Sequence, residues 1–332
     1  MLSYTPSDLR PGSPLVVVLH GCGQSAADYV EGAGWSTLAD RLGFVVLAPE
    51  QNRSNNANGC FNWFQPEDTT RDRGEASSIR QMIERAVADH GLDHNQIFVT
   101  GLSAGGAMTS VMLAVYPEVF AGGAIVAGLP YGAADNVQEA LASMRQPPSR
   151  SGRAWGDLIR GASKYVGAWP AVSVWHGGAD TTVSPANADA TIAQWVDVHG
   201  AAQTPSFREQ IDGYRRRVWH DADGRSVVES YAIAGMPHGS PISSGSAEDQ
   251  CGVARPFVLE AGISSSHRIA MFWGLTHSKS TAHLVQSTSD GDCAIAGDER
   301  ELGSNDAESH RHFNIQDVIS KALKAAGLLK GP

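Results

Sequence analysis

Five short apolar runs, separated by stretches long enough for helices, restrict this chain to one kind of architecture. Leu15-Val16-Val17-Val18-Leu19, Phe44-Val45-Val46-Leu47-Ala48, Ile97-Phe98-Val99-Thr100, Ala124-Ile125-Val126 and Ala171-Val172-Ser173-Val174-Trp175 are continuous rather than alternating. That is the pattern of strands buried on both faces. Between the second and third runs, Ile79, Met82, Ile83, Ala86 and Val87 recur at helical spacing, and Gly91 ends the helix. Strands alternating with helices specify a mostly parallel sheet with helices on both faces, an α/β fold. Residues 214–221 and 226–233, joined through Ala222-Asp223-Gly224, read as a hairpin with a glycine-bearing turn.

Hydrophobic residues make up 42% of the 332 and charged residues 18%, enough apolar side chain for one large core. No internal repeat or linker divides the chain, so residues 1–332 are expected to form one domain. Within it, residues 130–170 are expected to be a small cap-like insertion between two sheet strands, with one amphipathic helix carrying Val137, Ala140, Leu141 and Met144. Residues 240–332 are expected to extend the same domain and to end in a helix carrying Ile315, Val318, Ile319, Ala322, Leu323 and Ala326.

The net charge of −10, from 35 acidic and 25 basic residues, argues against a nucleic-acid partner. The one basic run, Arg215-Arg216-Arg217, is expected on a solvated face. No segment reaches the ~20 apolar residues that span a bilayer. The first residues lack the basic start and apolar run of a signal peptide, so the chain is expected either to stay in the cytosol or to begin after a removed leader. Its four cysteines, Cys22, Cys60, Cys251 and Cys293, never form C-x-x-C, which fits two disulfides or four buried thiols rather than a zinc or redox motif. Oligomeric state is left open.

Gly101-Leu102-Ser103-Ala104-Gly105 is the chain's one G-x-S-x-G, and it lies between a predicted strand and a helix-like run. Small residues on either side of the serine permit a sharp turn that lifts Oγ above the sheet, and the following helix aims its first N–H groups at developing negative charge. A serine needs a base and an orienting acid, in the chain order Ser, Asp or Glu, His. Asp180, in His176-Gly177-Gly178-Ala179-Asp180, and His238, in Gly235-Met236-Pro237-His238-Gly239, both follow strand ends in that order. His176 is expected to pack or hydrogen-bond at its strand end. His283, His310 and His312 are expected to be solvated, and Asp212 and Asp223 to be turn residues. No metal is expected at His310-Arg311-His312, and no cofactor is required. Oxyanion donors are expected from the N–H groups of Ala104 and of Cys22, the latter in the loop His20-Gly21-Cys22-Gly23.

His20-Gly21-Cys22-Gly23-Gln24, Cys60-Phe61-Asn62-Trp63-Phe64, the run Gly101 to Met108, Gly128-Leu129-Pro130-Tyr131-Gly132, Asp180-Thr181-Thr182-Val183 and the turn Asp221-Ala222-Asp223-Gly224 together resemble the polyhydroxybutyrate depolymerase esterases. The resemblance covers residues 14–240, with Gly262-Ile263-Ser264-Ser265-Ser266 and Phe272-Trp273-Gly274 beyond them. It implies an α/β-hydrolase fold and a serine ester hydrolase acting on short-chain polyhydroxyalkanoates, or on feruloyl or acetyl esters of plant cell-wall sugars. It also implies a Cys22–Cys60 disulfide, which would leave Cys251 for Cys293, and with the cysteine usage it points to a secreted or periplasmic protein. In this family a longer strand region precedes the first apolar run than the dozen residues here, and residues 276–314 match nothing in the family pattern.

Trp63 and Phe64, placed beside the oxyanion loop, are candidate substrate contacts, with packing under that loop as the competing reading. An amidase with the same residues, or a non-catalytic binding protein of this fold, stands as a remote alternative.

Overall fold

The computed structural model describes residues 1–277, of which Met1–Leu275 form one compact unit. The expected terminal helix, Cys293, His283, His310 and His312 lie outside the described residues. The sheet is built from β1 (Leu2–Tyr4), β2 (Leu15–Leu19), β3 (Val45–Ala48), β4 (Ile97–Leu102), β5 (Gly122–Val126), β6 (Ala171–Gly177), β7 (Phe207–Ile211), β8 (Tyr214–His220) and β9 (Ser226–Ile233). Their spatial order is β1-β3-β2-β4-β5-β6-β9-β8-β7. The strands from β3 to β9 in that order run parallel, and β1, β8 and β7 add antiparallel edges.

The continuous apolar runs do what two-sided burial requires. Leu15, Val17 and Leu19 of β2 enter one core, and Val16 and Val18 enter the other. The helices are α1 (Ala26–Gly32), α2 (Trp35–Leu42), α3 (Pro66–Thr69), α4 (Gly74–His90), α5 (Ala104–Val115), α6 (Val137–Arg145), α7 (Gly152–Ala162), α8 (Ala186–Val198) and α9 (Ser265–Phe272). Side chains of α4, α5, α7 and α8 fill the first core, and those of α1, α2 and α9 the second. Every residue of α5 is buried, which explains why its sequence is apolar or small all round. This arrangement is the α/β-hydrolase fold.

Several features differ from the sequence reading, each for an identifiable reason. The residues before β2 are few, yet three of them pair antiparallel with β3 as β1. The hairpin of β8 and β9 gains a third strand, β7, through the turn Asp212-Gly213, where both residues have positive φ, 50° and 82°. An Asp-Gly pair is the turn chemistry such hairpins need, but the charged composition of β7 hid the strand. Of the basic run only Arg215 is exposed; Arg216 is half-buried and pairs with Glu209 at 2.6 Å and with Glu229 at 2.8 Å. Glu229 is buried within β9, and a carboxylate there requires a partner. Residues 130–170 hold α6, where expected, and a second helix, α7, whose Trp155 and Ile159 are buried in the first core.

The register aligns the strand ends that matter. Leu19 pairs with Gly101, Leu102 with Val126, Val126 with Trp175, and Gly177 with Ile233, so the loops after β2, β4, β6 and β9 emerge along one edge. Two glycines allow α5 to start hard against that edge. A Cβ on Gly105 would overlap the carbonyl oxygens of Leu19 and His20, and one on Gly101 would overlap Gly105 itself. Gly105→Ala is therefore expected to cost at least about 3 kcal/mol, the scale of an overpacking that side-chain rotation cannot relieve. Urea denaturation checks it: a midpoint within error of the parent would contradict the packing described.

Candidate active site

Ser103 sits between β4 and α5 with φ 58° and ψ −116°, a backbone conformation that L-residues rarely adopt. Its N–H donates to Val126 O at 2.9 Å, and its own carbonyl accepts from Ala107 N at 2.8 Å, so the strained residue is held from both sides. Ser103 is half-buried, while its neighbours Leu102 and Ala104 are buried. Ala104 opens α5, where the first N–H groups have no partner within the helix.

Asp180 lies in the turn after β6. Its Oδ1 accepts from the N–H groups of Thr182 at 2.8 Å and Val183 at 2.9 Å, which fixes the carboxylate plane. Its Oδ2 accepts from His238 Nδ1 at 2.7 Å. All three of His176, Asp180 and His238 are buried. Burial pushes the Asp180 carboxyl up, but the hydrogen bonds from His176 and His238 outweigh it and hold the group well below the usual carboxylate range. With Nδ1–H given to Asp180, His238 keeps Nε2 free to take a proton. His176 hydrogen-bonds at its strand end, as expected: its Nε2 is 2.9 Å from Val183 O and also 3.2 Å from Asp180 Oδ2. The four-residue spacing His176 to Asp180 was the available signal for that second contact.

The acid and base loops are joined through the backbone. Gly178 N donates to Ile233 O at 2.8 Å and Ala179 N to Met236 O at 3.0 Å. Gly177 has no room for a Cβ, which would overlap the Met236 carbonyl oxygen.

The loop after β2 is tied down by covalent and polar contacts. Cys22 and Cys60 form a disulfide, as the family resemblance implied. Cys251 is buried, pairs with no cysteine among the described residues and has its Sγ 3.1 Å from Ser264 Oγ; Cys293, its expected partner, lies outside them. Gly21 N donates to Gln24 Oε1 at 2.8 Å. His20 Nδ1 donates to Gly21 O at 2.8 Å, and its Nε2 accepts from Gln51 N at 3.1 Å. Burial pushes the His20 pKa down, consistent with that neutral tautomer.

Sequence reasoning missed the next layer entirely. The Gln51 side chain donates to Cys60 O at 2.9 Å and to Glu75 Oε1, while Asn62 N donates to Glu75 Oε2 at 2.8 Å. Glu75 thus braces both neighbours of the disulfide loop from the first turn of α4. A cavity of about 650 Å³ opens on this network, lined by residues including Gln51, Phe61, Asn62, Glu75, Ile79 and Met82, and not by Ser103, Asp180 or His238. Trp63 packs into the first core with 9% exposure, and Phe64, half-buried, meets it edge-on at 5.4 Å.

A serine on a strained elbow, a histidine with one free nitrogen and an ionised aspartate, set along one sheet edge beside backbone donors, can perform nucleophilic acyl transfer. Among the described residues no cluster of side chains fit to hold a metal ion occurs.

Comparison with known proteins follows the same line. The sequence model of the family described as esterase PHB depolymerase matches residues 2–216. Poly(3-hydroxyalkanoate) depolymerase C of Paucimonas lemoignei is 45% identical over 83% of this chain and 66% of that protein. Feruloyl esterase B of Talaromyces funiculosus is 30% identical over 73% of this chain and 69% of its own length. Acetylxylan esterase of Coprinopsis cinerea is 31% identical over 73% and 66%. The matched region thus spans about two thirds of the length of these relatives. Among solved structures, an acetyl xylan esterase from Aspergillus awamori superposes with a TM-score of 0.67 at 23% identity, covering 82% of this chain and 93% of that one, a likeness of fold.

Glu75 yields a pH prediction. Burial pushes its carboxyl up from 4.5 to about 7, against the hydrogen bonds from Asn62 and Gln51. Between those two values the folded protein holds a proton that the unfolded chain has released, so stability falls as pH climbs through the window and levels off above about 7. Glu75→Gln should remove that fall. Denaturation midpoints of both proteins at the two ends of the window check it, and identical pH slopes would refute the assignment.

Proposed function

Because the chain belongs to the esterase PHB depolymerase family, we propose that it is a serine carboxylic-ester hydrolase acting through an acyl-enzyme, with poly- or oligo-(3-hydroxyalkanoate) esters as its substrates. The observation that carries the chemistry is the 2.7 Å bond between His238 Nδ1 and Asp180 Oδ2 at the sheet edge that also bears the strained Ser103.

His238 Nε2 removes the Ser103 proton as Oγ attacks the ester carbonyl. Asp180 fixes the imidazole tautomer and stabilises the imidazolium, and its depressed pKa keeps it ionised throughout. The N–H groups of Cys22 and Ala104 receive the oxyanion, the first held in place by the disulfide to Cys60. The intermediate then collapses, and His238 gives its proton to the leaving alcohol. Water, activated by the same histidine, releases the acid and restores Ser103. Phe64, half-buried beside the disulfide loop, is the aromatic contact to substrate, and Trp63 packs in the core edge-on to it.

The hydroxyalkanoate class is favoured by the 45% identity to the Paucimonas lemoignei depolymerase, against 30–31% for the feruloyl and acetylxylan esterases that represent the second reading. The Cys22–Cys60 disulfide supports work in an oxidising compartment, as a secreted or periplasmic protein.

Steady-state turnover on hydroxybutyrate oligomers, poly(3-hydroxybutyrate) suspension, methyl ferulate and acetylated xylan tests the reading. Hydroxybutyrate esters should be the best substrates. Ser103→Ala and His238→Ala should each lower kcat by about 10⁶-fold, because the two act as a unit. His176→Ala should lose far less, since it removes only one of the contacts to Asp180. Parent-like turnover by Ser103→Ala would end the proposal, and a preference for methyl ferulate or acetylxylan would move it to the second reading.

A further inference from the structure

Among the described residues Phe257 is the one aromatic with a positive φ, 64°, a conformation that glycine adopts freely and an aromatic residue does not. Strain of that kind persists only where surrounding contacts impose it, and it gathers at functional sites. Here the contacts are explicit. Phe257 O accepts from Ser240 N at 2.8 Å, two residues beyond His238, and the preceding Pro256 O accepts from Gln24 Nε2 at 3.0 Å. Gln24 in turn holds Gly21 N beside Cys22. Arg255, next in line, pairs with Glu31 of α1 at 2.6 Å. The segment is therefore pinned to the base loop on one side and to the oxyanion loop on the other. From it the half-buried Phe257 ring meets the His238 imidazole edge-on, with centroids 6.2 Å apart.

We propose that Phe257 is a specificity residue for the alcohol portion of the ester. The proposal rests on the reading of Ser103 and His238 given above. The leaving oxygen must come within hydrogen-bond reach of His238 Nε2 to collect its proton, so whatever that oxygen carries lies beside the imidazole. Asp180 occupies the Nδ1 side, and the Phe257 ring stands edge-on to the same imidazole with centroids 6.2 Å apart. The acyl portion, in contrast, is fixed by its carbonyl at the N–H groups of Cys22 and Ala104. An apolar ring beside the base therefore sorts substrates by the size and hydrophobicity of the alcohol, before the acyl-enzyme forms. Once the alcohol has left, water enters and the ring has no substrate group to contact, so hydrolysis of the acyl-enzyme does not depend on it.

The test uses Phe257→Gly and Phe257→Asn, both of which relax the positive φ and so separate loss of the ring from loss of the fold. Each variant is assayed on butanoate esters of methanol, butanol, hexanol and phenol, and on methyl esters of acids from acetate to hexanoate. Thermal midpoints should stay at or above the parent's. The preference in kcat/KM for the larger alcohols over methanol should fall about 10-fold, the scale of one lost apolar contact, while the acyl-series preference stays within two- to threefold of the parent. An unchanged alcohol preference, or a shift confined to the acyl series, would overturn the proposal while leaving a Ser103-dependent esterase intact. Absence of Ser103-dependent turnover in the parent would instead overturn the functional reading, and this inference with it.

Discussion

A carboxylate taken out of water must be met by hydrogen-bond donors, and the way Asp180 meets that requirement organises the site. Its own turn supplies two N–H groups to Oδ1, which leaves Oδ2 aimed at His238 with His176 alongside. Those contacts need β6 and β9 to be neighbours in register, and they need the two following loops to touch through Gly177, Gly178 and Ala179. An asparagine could not substitute silently: one orientation sets its NH2 against the N–H groups of Thr182 and Val183, and the other makes His238 Nδ1 an acceptor, which is the wrong tautomer for a base. The charge on Asp180 is thus a property of the fold as much as of the site.

The second constraint is close approach. Ser103 can stand at φ 58° only because the chain is gripped by β5 behind it and by the start of α5 ahead. A conformation of that kind costs about 1–3 kcal/mol and must be offset by the contacts that enforce it. The absence of side chains at Gly101 and Gly105 lets α5 press against the end of β2, bringing the Ala104 N–H and the His20–Gln24 loop to the same place. The disulfide, the neutral His20 and the Glu75 network then fix that loop from the far side. Strand register and helix packing, which serve stability everywhere else, here set the positions of the groups that could do chemistry.

Much of this was legible in the sequence because the signals are local. Two-sided burial writes itself as unbroken apolar runs, and the serine elbow needs small residues at fixed offsets. Asp180 and His238 each follow a readable strand in the expected order. The Cys22–Cys60 pairing came from family resemblance, since spacing alone leaves three pairings open. What stayed hidden depends on tertiary placement. The bond from Gln51 to Glu75 joins polar residues 24 positions apart whose individual sequence contexts are unremarkable loops and helix starts. Arg216 reads as solvated until the buried Glu229 is seen opposite it. Phe257 gives no sign in sequence that its backbone is strained, because no glycine or asparagine stands there to announce it. The β7 strand was lost for the opposite reason: its turn signal, Asp212-Gly213, was present, but its charged residues masked the period.

Acyl transfer through Ser103 requires one covalent event at one side chain. Incubating the protein with a fluorophosphonate, then locating the adduct by mass spectrometry of the digested chain, tests it directly, because such reagents capture a serine only when a base activates it. A single stoichiometric adduct on Ser103 is expected, formed far more slowly in His238→Ala and not at all in Ser103→Ala. An adduct on any other residue, or ester turnover that continues with Ser103 unlabelled, would contradict it.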